Sequence, residues 1–259
     1  VTMDIAAIVG LVVSVAAILW MQNHEGGSLG DILLPGPLVL VFIGTMGVGL
    51  MGGVLKDGTG LVGVLKTAFL GKPKNAAETV GVIVSMAERA RREGLLALED
   101  AIKAVDDEFL RDGLQTAIDG TDPDELYEIL MAKVQAKKAA DKQSAKILGD
   151  MGGYAPTVGI CGTVISLVVV LQNLTDAAAL GPMIAGAFVA TFWGVAAANI
   201  FFLPLQSRLA RLSGLEVAQM ELVVEGILAI QAGSNPRSVA KKLESLLPPG
   251  TSVPDKKAA

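Results

Sequence analysis

Four stretches of this chain carry almost no charge, and each is long enough to cross a bilayer as a helix. Between Asp4 and Glu25 the only ionisable side chain is His24, and between Asp31 and Lys56 there is no Asp, Glu, Lys or Arg. The same holds from Met151 to Thr175 and from Ala177 to Ser207. A spanning helix needs about 20 mostly apolar residues, which predicts spans at roughly 4–22, 32–54, 152–173 and 179–204. Composition agrees. Hydrophobic residues make up 52% of the 259 and charged residues 18%, where a soluble domain is about a quarter charged. Disorder is excluded, and a soluble enzyme is disfavoured. A net charge of -5 gives no sign of a nucleic-acid partner. The first span does not read as a cleaved leader, because no basic stretch precedes it and a second span follows closely.

The basic residues set the orientation. All 21 fall in two blocks, Lys56 to Lys146 and Arg208 to Lys257, and the short connections 23–31 and 174–178 have none. Cationic loops stay in the cytoplasm. The middle segment and the C-terminal tail are therefore expected to be cytoplasmic, and with four crossings the N-terminus is too. The expected fold is all-α. A first transmembrane hairpin covers 1–55, a cytoplasmic helical domain 56–150, a second hairpin 151–205, and C-terminal helices with a disordered tail 206–259.

Within the cytoplasmic parts, Ala76 to Arg92 places Val80, Val84 and Ala87 near helical period and Gly94 ends it. Leu95–Val105 and Glu108–Ile118 read as two short helices. Asp122-Pro123-Asp124-Glu125 is a helix start, with Asp122 as cap and Pro123 in the first turn. No Pro or Gly follows until Gly149, so one helix is expected to run from 123 towards the third span. Its lysines, Lys133, Lys137, Lys138, Lys142 and Lys146, read as a solvated face. Two further helices are expected over Arg208–Gln231 and Arg237–Leu247. The last ten residues look disordered.

The membrane parts are notable for what they lack. Ionisable residues inside a bilayer mark ion paths, and no Asp, Glu, Lys or Arg lies deep in any span. If the protein moves H+ or Na+, the titrating carboxylate must come from a partner chain. Small residues remain. Gly186, Ala190, Gly194 and Ala198 recur at four-residue steps, a face that lets helices approach closely. Thr163 and Thr191 are candidates for a polar ion track, although a membrane threonine also bonds back to its own helix. Pro156 and Pro204 stand at the cytoplasmic ends of the third and fourth spans, where proline permits bending or ends a helix. Gly152-Gly153 reads as a flexible helix junction. His24 has no second ligand nearby, so no metal site is expected. No cofactor motif or catalytic triad appears.

Four segments together resemble a known family. They are Ala90 to Glu99 (ARREGLLALE), Ala155 to Thr163 (APTVGICGT), Ala187 to Gly194 (AFVATFWG) followed by Pro204, and Glu221 to Gly233 (ELVVEGILAIQAG) followed by Asn235-Pro236-Arg237. The chain resembles MotA, the larger subunit of the bacterial flagellar stator, and its relative PomA. The resemblance implies a pentamer enclosing two MotB-like chains that supply the ion-binding aspartate. It also implies an inner-membrane location, an ion of H+ or Na+, and a push by cytoplasmic loops on the rotor protein FliG. Carried over residue by residue, Arg91 and Glu99 resemble the rotor-contacting charges. They would share a helix face only if the helix ran through Gly94. Pro156 and Pro204 resemble the prolines that couple ion flow to motion, and Thr163 and Thr191 match positions lining the ion path. Thr157 departs from the Ala or Phe often found after that proline. The alternative is an ExbB- or TolQ-type proton-driven energiser of outer-membrane transport. Those relatives have one span, not two, before the cytoplasmic domain.

Overall fold

The computed structural model describes residues 6–53, 55–72 and 75–247, the side chains of 55–59 not among them. The expected disordered tail lies outside the described residues. Among those residues every regular element is helical, and the chain divides into two compact units.

The first unit takes residues from Val1–Lys72 and Asp141–Leu212. Helix α1, Ala6–His24, is apolar all round and has no buried residue. The second expected span is not one helix. It is split into α2 (Leu29–Ile32), α3 (Pro35–Leu38), a π turn (Val39–Gly44) and α4 (Thr45–Met51). The physical reason is Pro35. Proline lacks the N–H a helix interior needs, yet its fixed φ suits a helix's first position, so the chain breaks at Leu33-Leu34 and restarts there. Helix α5 follows over Leu55–Leu70. The unit then receives the later part of α8 (Pro123–Gln172), all of α9 (Ala177–Ala196), a second π turn (Ala197–Phe202) and the start of α10 (Leu203–Gln231). Asp176 caps α9 by accepting from the Ala179 N–H. Three helical stretches, Ala6–His24, Pro123–Gln172 and Ala177–Gln231, are long and apolar enough to cross a membrane. Pro35–Met51 is apolar but shorter.

The second unit takes Pro73–Ala140 and Ser213–Ala259, and it has an ordinary hydrophobic core. Helix α6 (Ala76–Glu93) buries Ala77, Val80, Ile83 and Ala87, one face at steps of three and four. It ends at Gly94, whose φ of 86° is left-handed and so suits glycine. The expected helix over Leu95–Val105 is not there. Two short 3₁₀ turns, Leu95–Leu98 and Ile102–Ala104, take its place. They still bury Leu98 and Ile102, which is all the apolar pattern required. Helix α7 (Glu108–Ile118) is capped by Asp107, which accepts from the Leu110 N–H at 3.1 Å. Asp122 starts α8 by accepting from the Asp124 N–H at 2.9 Å. Leu126, Leu130 and Val134 form the buried stripe of that helix. Val217 to Ile230 of α10 and Val239 and Leu243 of α11 (Pro236–Glu244) complete the core.

Candidate functional site

The site lies in the first unit, where α8 and α9 cross as an antiparallel pair. Their contact is set by glycine. A Cβ on Gly159 would stand 2.6 Å from the Ala190 carbonyl oxygen and 3.0 Å from the Gly194 Cα. A Cβ on Gly194 would stand 2.7 Å from the Ala155 carbonyl oxygen and 3.2 Å from the Pro156 Cα. These are backbone atoms, which cannot swing aside, so both positions must be glycine for the helices to come this close. Ala190 and Ala198 are each 1% exposed. Gly186 is only half-buried, and a Cβ there would meet Leu34 at an ordinary 3.6 Å. The small-residue face was visible on α9. Its counterpart on α8, Ala155 and Gly159, has the same four-residue spacing, but two small residues in a helix are too weak a pattern to mark a face by themselves.

This crossing brings two hydroxyls together. Thr163 lies one turn beyond Gly159, and its Oγ1 is 2.5 Å from Oγ1 of Thr191. The Thr163 oxygen is also 2.9 Å from the Ala187 carbonyl and 3.2 Å from the Gly159 carbonyl of its own helix. A hydroxyl has one proton to give and two lone pairs to accept with. Thr163 can donate across to Ala187 while Thr191 donates to Thr163, which leaves acceptor capacity on both oxygens. Thr163 is therefore not occupied solely with its own helix. Asn199 is, donating to the Val195 carbonyl four residues back. So is Thr157, whose hydroxyl reaches Tyr154.

Neither proline ends a helix. Pro156 sits inside α8, which continues for sixteen residues to Gln172. It can give no N–H to the Gly152 carbonyl, and it lies at the Gly194 crossing. Pro204 is the second residue of α10, directly after the π turn. A π turn opens the backbone ladder by one residue, which makes room for a ring that would otherwise press on the Ile200 carbonyl. Gly152-Gly153 is likewise no loose junction. Both lie within unbroken α8, and a Cβ on Gly152 would meet the Leu203 side chain at 2.5 Å.

Two long-range bonds hold the frame, and no local pattern announced either. The Trp193 indole donates to the Ile32 carbonyl at 2.6 Å, satisfying the open end of α2. Arg208 Nε donates to the Ala68 carbonyl at 2.6 Å, in the last turn of α5. Thr45 is wholly buried, and its hydroxyl has no partner among the described residues.

The remaining candidates, Arg91 and Glu99, belong to the second unit. Arg91 is in the last turn of α6 and Glu99 follows the first 3₁₀ turn, with the break at Gly94 between them. They do not share a helix face. Both are exposed, and neither makes an ion pair among the described residues. Their neighbours do: Arg89 with Glu93 at 3.2 Å, and Lys103 with Asp100 at 2.8 Å. The hydrogen bond between Lys103 and Asp100 lowers the Asp100 pKa and raises that of Lys103. The α8 lysines are only partly a free solvated face. Lys133 lies 3.7 Å from Asp112, Lys137 2.8 Å from Glu216, and Lys146 2.5 Å from Asp150.

An all-helical chain with apolar spans, no internal carboxylate and a threonine pair at a glycine crossing can be compared with known proteins. The MotA/TolQ/ExbB proton channel family matches residues 101–222. Motility protein A of Bacillus subtilis is 31% identical over 247 residues, covering 95% of this chain and 92% of that protein. The chain belongs to the motility protein A family. Solved structures agree. The one titled "Structure of C. jejuni MotAB" is 27% identical, with a TM-score of 0.93 over 98% of this chain and 100% of the other. The flagellar MotAB stator complex of Bacillus subtilis is 30% identical, with a TM-score of 0.88 over 93% and 95%. Family and apolar helices together make this a membrane protein of the bacterial inner membrane.

Proposed function

We propose that this flagellar stator subunit works with a MotB-like partner as an ion-driven torque generator and performs no covalent chemistry. The observation that carries the reading is the Thr163–Thr191 pair, placed at a glycine crossing between spans that hold no carboxylate. Hydroxyl oxygens can accept from water or face Na+, but they do not store a proton near neutral pH. The titrating group is then an aspartate of the partner, enclosed by a pentamer of this chain. The transported ion, H+ or Na+, is cargo, and the mechanism calls for no cofactor. Four crossings with both termini in the cytoplasm put the second unit on the rotor side, where Arg91 and Glu99 are free to meet FliG. Pro156 and Pro204 supply the bending. Each interrupts the backbone ladder without ending its helix.

The deciding experiment expresses the chain with its partner in cells that lack their own stators. Restored swimming is the expected result. A complex that inserts in the membrane yet gives neither swimming nor ion flow would overturn the proposal. Energised outer-membrane import in place of swimming would support the ExbB- or TolQ-type alternative. Swimming speed against sodium concentration at constant membrane potential identifies the ion. Reversing the charges of Arg91 and Glu99 together should impair swimming, and reversed charges on FliG should restore it. Replacing Pro156 or Pro204 should leave an assembled but weakly motile complex.

A further inference from the structure

Helix α9 is gripped from two opposite sides. On the side towards α8, the Ala187 carbonyl accepts from Thr163, and the Ala190 carbonyl and Gly194 Cα fill the space beside Gly159. Thr191 belongs to that side, through its contact with Thr163. Trp193 does not. Two residues turn a helix by about 200°, so the indole leaves α9 on the side away from α8. There its ring lies 6.0 Å from that of Phe42 in the first π turn, and its N–H donates to the Ile32 carbonyl at 2.6 Å. That carbonyl is free to accept because the second expected span breaks just after α2. In an unbroken helix its own ladder would occupy it.

We propose that Trp193 is a positioning residue for the ion path: by bonding Ile32 it fixes the rotation of α9 about its own axis and so keeps the Thr191 hydroxyl on Thr163. The glycines at the crossing set how near the two helices come. They have no side chains to interlock, so they resist turning weakly. A directional bond on the opposite side resists it. A turn of about 20° moves an atom about 5 Å from the axis by about 2 Å, which is enough to break a hydrogen bond. The indole bond and the threonine contact therefore hold or fail together. The role in ion flow rests on the reading of the threonine pair proposed above, whereas the geometric coupling of Trp193 to Thr191 does not.

The test uses the full chain with its MotB-like partner. Thr163→Cys and Thr191→Cys are combined with Cys161→Ser, which removes the native thiol. The two threonine oxygens are near enough for cysteines there to form a disulfide, with copper phenanthroline as the oxidant. Trp193→Phe removes the donor and keeps a ring. A benzothienyl analogue incorporated at the same position replaces the N–H by sulfur at nearly the same shape. Both should slow disulfide formation roughly threefold, the weight of an average interhelical hydrogen bond in a membrane, with the elution volume of the complex unchanged. With the threonines intact, both should raise the half-saturating sodium or proton concentration for swimming by a similar factor. A merely structural residue would lower the top speed and leave that concentration alone. An unchanged disulfide rate would overturn the proposal, as would an analogue complex that does not assemble. So would an unchanged half-saturating concentration where Thr163→Val abolishes swimming. If the disulfide slows while Thr163→Val swims fully, the ion-path reading fails and the coupling of Trp193 to Thr191 stands.

Discussion

In the unit formed by 75–140 and 213–247, the fully buried large side chains are leucines and isoleucines: Ile83, Leu98, Leu110, Leu114, Leu126, Leu130, Ile227 and Leu243. In the unit formed by 6–72 and 141–212 a smaller cluster around Val41, Leu148, Met151 and Phe202 is buried, α8 and α9 meet through backbone at Gly159 and Gly194, and many large apolar side chains point outward. Val13 is 61% exposed, Ile165 61%, Phe188 64% and Met51 88%. The surrounding solvent explains the contrast. In water, burying a leucine removes apolar surface and gains roughly 1.5–3 kcal/mol. In lipid that gain is absent, because the tails are as apolar as the side chain, and helices are held by close backbone approach and a few hydrogen bonds. A large apolar residue on the outer face of the first unit therefore matters far less than one in the core of the second.

The largest expected effect breaks the water-facing core. Leu114→Ala should destabilise the second unit by about 2–5 kcal/mol, the cost of a cavity in a packed core, read as a lowered denaturation midpoint. Ile165→Ala, on the exposed face of α8, should cost far less in the same membrane preparation. If the two cost the same, the contrast between the units is wrong.

Glycine should show the reverse order. Gly194→Ala places a methyl against backbone atoms of α8 and should cost about 1–3 kcal/mol through overpacking. Gly81→Ala, in α6 of the second unit, meets nothing within 4 Å. Alanine there regains up to about 1 kcal/mol of helix propensity, so that change should be neutral or stabilising. Thermal unfolding of each variant complex checks the order.

How far the sequence reveals this architecture varies with the range of the interaction. Helix α8 was predictable from its cap at Asp122 and the long stretch without Pro or Gly. Its passage through Gly149, Gly152, Gly153 and Pro156 was not, because Gln206 and Leu203 pack into the space the glycines leave, and such packing overrides local propensity. The 3₁₀ turns at Leu95–Ala104 were hidden for the opposite reason. An apolar pattern records what is buried, and Leu98 and Ile102 are buried equally well without a helix. The two π turns and the split at Leu33-Leu34 had only Pro35, Pro37 and Pro204 as signals. Thr163 and Thr191 stood out as polar residues in apolar spans, but nothing local said that they face each other. The missing signal was Gly159, whose spacing from Ala155 mirrors that of Ala190 and Gly194. The Trp193–Ile32 and Arg208–Ala68 bonds join residues far apart in sequence, beyond any local pattern.

The threonine pair sharpens the comparison, because stability and function should separate there. An interhelical hydrogen bond in a membrane is worth on average about 0.6 kcal/mol and at most about 1.7. Thr163→Val keeps the shape and removes the hydroxyl, so the complex should lose no more than that. If the pair lines the ion path, swimming should fall far more than so small a change can explain. Full swimming in Thr163→Val and Thr191→Val would reduce the pair to a packing contact.

Thr45 offers the smallest effect and the most direct contrast with that pair. Its hydroxyl is as polar as that of Thr163, yet it is wholly buried with no partner among the described residues. A buried polar group without a partner costs free energy, and valine has nearly the same volume without that cost. Thr45→Val should therefore leave the complex as stable or stabilise it by about 1 kcal/mol, in the opposite direction to Thr163→Val. A clear loss of stability would mean that the hydroxyl finds a partner in the assembled complex. In that case the first unit would contain a second polar contact made only on assembly, and its cohesion would rest on more than close helix approach.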